Sequence, residues 1–183
     1  GPTLGGSLEG PAPFHLDSGG TMIIDAAAPL VVLGDRGSRL TLHGSAVLFG
    51  ETQGALDLVL GGAIDLGAVE VLHPDLLASG RLACDLKIGG RIEAPLFDGT
   101  VRATRGRLRL LPYPESVDGL LVALRFSGND VTMEQGRFRL GGGEVLLDGN
   151  ATLDGWLPQT LRIGLDARGV GLSVPRGVWG RYN

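Results

Sequence analysis

The stretch Arg81-Leu82-Ala83-Cys84-Asp85-Leu86-Lys87-Ile88 decides the fold class, because apolar residues occupy every second position. Successive side chains of a β-strand point to opposite faces, so one face of this segment carries Leu82, Cys84, Leu86 and Ile88. The other face is largely charged. This pattern is typical of a half-buried antiparallel strand.

The same alternation recurs along the chain, in residues 40–42, 56–60, 107–110, 120–126, 137–140 and 161–166. Glycine, of which the chain has 32 residues, flanks almost every one of these segments. This composition favours many short strands joined by tight turns over a helical bundle, which seldom tolerates so much glycine. We therefore expect an all-β protein.

Glycines also recur at intervals of about 17 to 20 residues, at Gly80, Gly99, Gly119, Gly136 and Gly155. We interpret them as the starts of strands in a repeated strand, turn, strand unit that is stacked along an axis. The expected architecture is an elongated, solenoid-like antiparallel β-groove, or β-taco. One segment breaks the pattern: residues 66–79, with apolar residues around Pro74, are predicted to form at most one short helix.

The domain organisation is predicted to be simple. Gly1-Pro2 resembles the scar left by a tag-cleaving protease, and residues 3–183 are expected to form a single repetitive β-groove domain of a longer chain. The longest apolar run, residues 26–33, is far shorter than the roughly 20 residues of a membrane span. Any signal or anchor would lie outside this sequence.

Charge and cysteine content exclude several classes of site. The net charge of −4 argues against a nucleic-acid surface, which needs clustered Lys and Arg in excess. Cys84 is the only cysteine, which excludes an internal disulfide and any multi-cysteine zinc site. We interpret it as a small apolar residue of its strand.

Candidate chemical groups receive plain structural interpretations. His15, His43 and His73 are nearly evenly spaced, but no carboxylate or cysteine accompanies them at metal-ligand spacing, so we expect surface histidines. The pairs Asp57 with Asp65 and Asp148 with Asp154 could flank a sugar bond in a glycosidase. Few aromatic residues are present for sugar stacking, so turns and strand edges explain these acids better.

Two further motifs have similar explanations. Gly141-Gly142-Gly143-Glu144 lacks the Lys-Ser or Lys-Thr of a phosphate-binding loop and is predicted to be a turn or bulge. Arginines at alternate positions place Arg105, Arg107 and Arg109 on one face of their predicted strand, and Arg137 and Arg139 do the same on a later strand. A solvated outer sheet face is the default interpretation, and contact with an anionic lipid or a partner is the alternative.

From about Ala55 onward the order of motifs resembles the TamB (AsmA-like) family. The resemblance is carried by Ser79-Gly80-Arg81-Leu82, by Gly89-Gly90-Arg91-Ile92-Glu93-Ala94-Pro95-Leu96-Phe97-Asp98-Gly99-Thr100-Val101, by Gly106-Arg107-Leu108-Arg109-Leu110, and by Gly141-Gly142-Gly143-Glu144-Val145 with Asp148-Gly149. The longest of these is similar to a recurring family unit with two glycines, a proline and a further glycine. The family's N-terminal anchor and C-terminal barrel-contacting region are not in this sequence.

The resemblance implies a fold, a place and two functions. Proteins of this family are long β-sheets curled into a trough with an apolar concave face, which bridges the inner and outer membranes in the periplasm of diderm bacteria. The trough would shield or conduct phospholipid acyl chains. The alternative role is a chaperone-like scaffold for outer-membrane β-barrel proteins, acting with a TamA-like barrel-insertase partner.

The apolar positions of the alternating segments define a candidate lining. It comprises Leu82, Leu86, Ile88, Val101, Leu108, Leu110, Val122, Leu124, Phe126, Phe138, Leu140, Leu161, Ile163 and Leu165. Such a surface would offer non-directional contact to a phospholipid or another amphipathic lipid. Ordinary packing of these residues against one another is the open alternative.

The resulting expectation is a protein without catalysis, metal or cofactor. A lipid-shielding groove is the main hypothesis, and a scaffold for β-strands of outer-membrane proteins is the second. A β-helical adhesin or a carbohydrate-active enzyme is the third. The first two share an apolar concave face and open strand edges, so the sequence does not separate them.

Overall fold

The computed structural model describes residues 7–8, 14–34, 37–67, 75–111 and 115–171. Twelve strands form one sheet. They are β1 (Ser7–Leu8), β2 (Phe14–Leu16), β3 (Thr21–Ile24), β4 (Leu30–Gly34), β5 (Ser38–Val47), β6 (Leu56–Asp65), β7 (Leu76–Arg91), β8 (Ala94–Leu110), β9 (Ser116–Gly128), β10 (Asp130–Leu140), β11 (Gly143–Asp154) and β12 (Leu157–Arg168). The prediction of an all-β, antiparallel protein is confirmed.

The sheet is an open up-and-down meander. From β5 to β12 every strand pairs antiparallel with the next strand of the chain. The two short strands β3 and β4 lie end to end along the free side of β5, since residues 21–24 pair with residues 44–47 and residues 30–34 pair with residues 38–42. Beyond them, β2 pairs with β3 and β1 with β4. The topology agrees with an elongated β-groove.

The sequence-based strand boundaries were wrong at the recurring glycines. Gly80, Gly99, Gly119 and Gly136 lie inside β7, β8, β9 and β10 instead of starting them, and Gly155 lies in the β11–β12 turn. Glycine bends these strands without ending them, because a residue with no Cβ can adopt a positive φ while its ladder continues. At Gly99, φ is 135° and pairing continues on both sides.

Residues 68–74 of the predicted helix over residues 66–79 lie outside the described residues, which resume at Asp75. Its last part is not helical, because Leu76–Ser79 begins β7 and pairs with β8. The described residues contain no α-helix, and therefore none long enough to cross a membrane.

The two faces of the sheet differ in character. Residues directly opposite each other on paired strands share a face, so the face bearing Leu82, Leu86 and Ile88 can be followed from strand to strand. We call it the apolar face. The other, bearing Arg81 and Lys87, is the charged face, and no charged side chain among the described residues is buried.

The strand ends form two long edges. The Trp156 edge carries the β7–β8 turn (Ile92 and Glu93) and the β11–β12 turn (Gly155 and Trp156). The Leu66 edge carries Leu66, which follows β6, and the β10–β11 turn (Gly141 and Gly142). The prediction of a turn at the glycine run is confirmed, since Gly141 and Gly142 have φ of 55° and 85°.

Candidate functional site: the apolar face

Strand pairing joins the apolar residues into one continuous surface. In the middle of the sheet Leu82 is opposite Ala103, and Ala103 is opposite Val122. One step along the strands, Val101 lies between Cys84 and Leu124. The same side of the sheet thus stays apolar as the chain passes from β7 to β9.

All fourteen residues of the candidate lining lie on this face. The register relates them pairwise, directly or through a shared neighbour: Leu86 with Phe126 through Gly99, Ile88 with Phe97, Leu108 with Leu140 through Val117, Leu110 with Leu76, Phe138 with Val145, Leu161 with Ala151, Ile163 with Gly149, and Leu165 with Leu147. The sequence pattern therefore chose one side of the sheet correctly. Whether lipid occupies it stays a prediction.

Several members of the face were left out of the predicted lining. They are Leu58 and Leu60 of β6, Cys84, Phe97, Met133 and Leu147. Leu58 and Leu60 belong to an alternating segment, so the signal was present. Met133 and Leu147 belong to strands in which bulges or glycines interrupt the alternation, which hides the face in the sequence.

No second layer packs on the apolar face within the described part of the chain. Extensive contacts between strands are confined to hydrogen-bonded neighbours of the sheet. At the β12 end the face is open to solvent, with Leu161 64%, Ile163 59% and Leu165 63% exposed. Near the centre the lining is half-buried by its neighbours, and only Ile88, 8% exposed, counts as buried.

The sheet curls toward its apolar face at the Trp156 edge. The tips of the β7–β8 and β11–β12 hairpins meet across the shorter β9–β10 hairpin, where the Trp156 indole N–H donates a hydrogen bond of 2.7 Å to the Ile92 carbonyl. The indole also lies edge-on to Phe97, with ring centroids 5.5 Å apart. Since Phe97 lies on the apolar face, Trp156 covers that face, which makes it the concave one here.

A second apolar contact covers the face at the Leu66 edge. Leu66 is 7% exposed, and its Cδ1 lies 3.2 Å from the place where a Cβ on Gly106 would stand, beside Leu120. Leu66 follows β6 yet reaches β8 and β9, so it passes over the start of β7. Trp156 and Leu66 therefore each cover part of the apolar face at one long edge, and the face is open between them.

Glycines line the middle of the apolar face. Gly44, Gly62, Gly99, Gly136 and Gly149 occupy it on β5, β6, β8, β10 and β11. At Gly44 and Gly99 an added Cβ would stand 2.0 Å from the carbonyl oxygen of Asp57 and of Asp85 on the neighbouring strand. These positions accept no side chain, so the floor of the concavity is backbone, and glycine bends of this kind let a sheet curve.

The charged face carries ion pairs at its surface. Lys87 pairs with Asp57 at 3.5 Å, and Arg125 pairs with Glu134. A hydrogen bond from the Ser116 hydroxyl, and then the Arg107 guanidinium, lower the pKa of Asp118. Exposed pairs of this kind contribute little to stability, so this face is defined by charge and not by packing.

Cys84 is a native thiol on the apolar face. Burial, and then the negative charge of Asp85, raise the pKa of its thiol. A thiol that resists ionisation is a weak nucleophile, because the thiolate is the reactive form. This agrees with the interpretation of Cys84 as an apolar strand residue.

The alternative sites are not assembled by the fold. Asp57 and Asp65 lie eight residues apart on β6, roughly 25 Å along the strand, and Asp148 and Asp154 lie six residues apart on β11, so neither pair can flank one sugar bond. No group of three or more metal-ligating side chains occurs among the described residues, which include His15 and His43. His73 lies outside them.

The predicted arginine alternation is only partly correct. Arg107 and Arg109 share the charged face, opposite Ser79 and Leu77, and Arg137 and Arg139 lie on it too. Arg105 instead occupies a bulge, where the register of β8 against β9 shifts between Ala103 and Gly106. Its φ of 52° is the single positive value of a non-glycine residue in the described part of the chain.

Comparison with known proteins gives no family for this chain: no protein-family model, no curated protein and no solved structure matches it.

Proposed function

We propose that this chain is a periplasmic segment that shields or conducts the acyl chains of phospholipids between the inner and outer membranes of a diderm bacterium, without catalysis or a cofactor. The observation that carries the proposal is the apolar face, which is continuous from β6 to β12 and has no second layer on it in the described residues. The ordered motifs that resemble the TamB family support the same proposal.

The energetics of the face favour an apolar ligand. Exposed apolar surface costs about 25 cal/mol per Å², so covering one leucine or isoleucine side chain contributes up to about 1.5 to 3 kcal/mol. Leu161, Ile163 and Leu165 are each more than half exposed and would gain from such cover. Acyl chains fit because contact with this face needs no directional partner, and a ligand held without hydrogen bonds can slide along it.

The concave shape supports an extended ligand. Trp156 and Leu66 each cover part of the face at one long edge, and its floor is backbone at Gly99 and the other glycines of the face. The open path between the edges runs across the strands, from β6 toward β12. A path in that direction suits chains that move along the length of the sheet.

A second candidate is a scaffold for strands of outer-membrane barrel proteins, acting with a TamA-like insertase. It is favoured by β12, which pairs with β11 on one side and, among the described residues, with no strand on the other. An unpaired strand edge is a template for strand addition. Residues 157–163 and 165–168 of this strand are exposed.

Photo-crosslinking from two adjacent residues of β9 tests the proposal. Leu124 lies on the apolar face and Arg125 on the charged face, so a photoreactive amino acid at each position samples opposite sides of one strand. In cells that express the protein, we expect lipid adducts from position 124 and none from position 125. Adducts to barrel proteins without lipid would favour the scaffold, and no adducts from position 124 would contradict the groove proposal.

A charge placed on the face provides an independent test. Leu124→Asp should abolish lipid recovery with the purified protein, because a carboxylate among acyl chains is strongly disfavoured. Thr132→Asp is the matched control, since Thr132 is exposed on the charged face opposite Arg125. Equal lipid recovery from both variants, with unchanged circular dichroism, would overturn the proposal.

A further inference from the structure

The charges on the charged face are sorted along the strands. In the half of β7 to β10 nearer the Leu66 edge this face carries six arginines and one carboxylate, Asp118; the arginines are Arg81, Arg102, Arg107, Arg109, Arg137 and Arg139. The half nearer the Trp156 edge has more acidic than basic residues. The four acids are Asp85, Asp98, Asp130 and Glu134, and the three basic residues are Lys87, Arg91 and Arg125. The chain as a whole carries −4, so this concentration of positive charge is local.

The pairing register places the arginines on three strands, β7, β8 and β10, on either side of β9, which carries Asp118. Arg102 of β8 faces Ala83 on β7 and Ala123 on β9, which leaves it without a bulky neighbour on either side. Arg139 lies opposite Asp118, and Arg107 pairs with the same carboxylate. Asp118 is thus shared between two arginines. On the flanking strands Glu144 lies opposite Arg139 and Asp65 opposite Arg81, so the six arginines exceed these three carboxylates by three.

Exposed leucines are interleaved with these arginines. Leu77 is 45% exposed and lies directly opposite Arg109, and Leu146 is 44% exposed and lies directly opposite Arg137. Both are on the charged face. We call these leucines and the six arginines the arginine-leucine patch.

We propose that the arginine-leucine patch binds the surface of a bilayer that contains anionic phospholipid. Guanidinium groups bind phosphate oxygens in bidentate geometry, and each arginine near an anionic bilayer strengthens attachment. The exposed leucines fit the boundary between headgroups and acyl chains, where side chains with an apolar part and a charged end are favoured. An acidic protein would satisfy the arginines but would leave Leu77 and Leu146 without apolar cover, so the bilayer is the better partner.

This inference stands independently of the proposed groove function, because the patch lies on the opposite side of the sheet. A protein attached through its charged face keeps the apolar face free. The position of the patch at the Leu66 edge would place that edge, and not the Trp156 edge, against the membrane.

Vesicle flotation with the 183-residue chain tests the inference. The vesicles are phosphatidylcholine alone, or phosphatidylcholine with phosphatidylglycerol at about 70 to 30, at low salt. We expect the chain to float with the anionic vesicles and not with the neutral ones. The triple variant Arg102→Gln/Arg109→Gln/Arg137→Gln should partition about a hundredfold more weakly, at roughly fivefold per arginine.

A second triple variant controls for net charge. Arg91→Gln/Arg125→Gln/Arg162→Gln removes the same three charges from outside the patch, and we expect it to bind nearly as the parent chain does. Leu77→Ser/Leu146→Ser should weaken binding most clearly at high salt, where the electrostatic part is screened.

Three results would overturn the inference: no flotation of the parent chain with anionic vesicles, equal flotation with neutral vesicles, or equal loss in the two triple variants. Leu124→Asp should still float, so failure of the groove proposal and failure of this one are distinguishable.

Discussion

Gly99 illustrates how single residues shape this sheet. It lies in the middle of β8 with φ 135°, and an added Cβ would stand 2.0 Å from the carbonyl oxygen of Asp85. A side chain there must displace the neighbouring strand's backbone, which has little freedom to move. Glycine is thus required twice at this position, by conformation and by space.

Gly99→Ala should therefore destabilise the protein, by about 2 kcal/mol or more, through steric contact and strain at a positive φ. Gly61→Ala is the matched control within β6, because the nearest atom to its added Cβ is the Thr41 hydroxyl oxygen at 3.8 Å. Urea unfolding measures both. Equal midpoints for the two variants would contradict the steric role assigned to Gly99.

Sequence reasoning at the residue scale succeeded for faces and failed for glycines. The alternation around Cys84 identifies the apolar side, because side-chain direction in a strand follows from position alone. The role of Gly99 depends on how closely β7 approaches it, which the sequence of β8 does not contain. The regular spacing of Gly99 and the other recurring glycines was therefore interpreted wrongly as a series of strand boundaries.

The hairpin tips are the elements that hold the curl at the Trp156 edge. Trp156 joins the β11–β12 hairpin to the β7–β8 hairpin through its hydrogen bond to Ile92 and its contact with Phe97. This contact requires the β9–β10 hairpin to be shorter than the hairpins on either side. How far one hairpin extends beyond its neighbours depends on the pairing register between strands. The sequence alone therefore did not predict it.

Trp156→Ala should loosen this edge and destabilise the protein by about 1 to 2 kcal/mol, through loss of one aromatic contact and one hydrogen bond. Trp156→Phe keeps a ring near Phe97 but has no N–H to donate, and we expect roughly half the loss. Thermal unfolding followed by circular dichroism measures both. An unchanged unfolding temperature in both variants would mean that the contact between the two hairpin tips does not stabilise the protein.

At the scale of the whole molecule, the apolar face is a surface with a graded exposure and not a closed core. Ile88 is 8% exposed, whereas Ile163 is 59% exposed on the same face. A core would bury both. The sequence pattern assigned Ile88 and Ile163 to the same lining without distinguishing how buried they are, because alternation indicates the face of a residue and not its distance from the edge of the sheet.

Ile88→Asp should therefore destabilise the protein by about 3 kcal/mol or more, since it buries a carboxylate without a partner. Ile163→Asp should cost less than about 1 kcal/mol in the absence of lipid, because the new charge meets water. Urea unfolding of the lipid-free protein compares them. A large loss for Ile163→Asp would indicate that another layer covers β12 in solution.

The meander topology also determines how the molecule responds to mechanical force. From β6 to β12 each strand is bonded only to its neighbours in the chain, so tension applied through the two ends of this segment opens one strand pair after another. The hydrogen bonds of a pair then break in succession instead of being sheared together. A protein stretched between two anchored structures would lengthen in many small steps at low force, with the strands nearest the point of attachment lost first and the remaining trough intact.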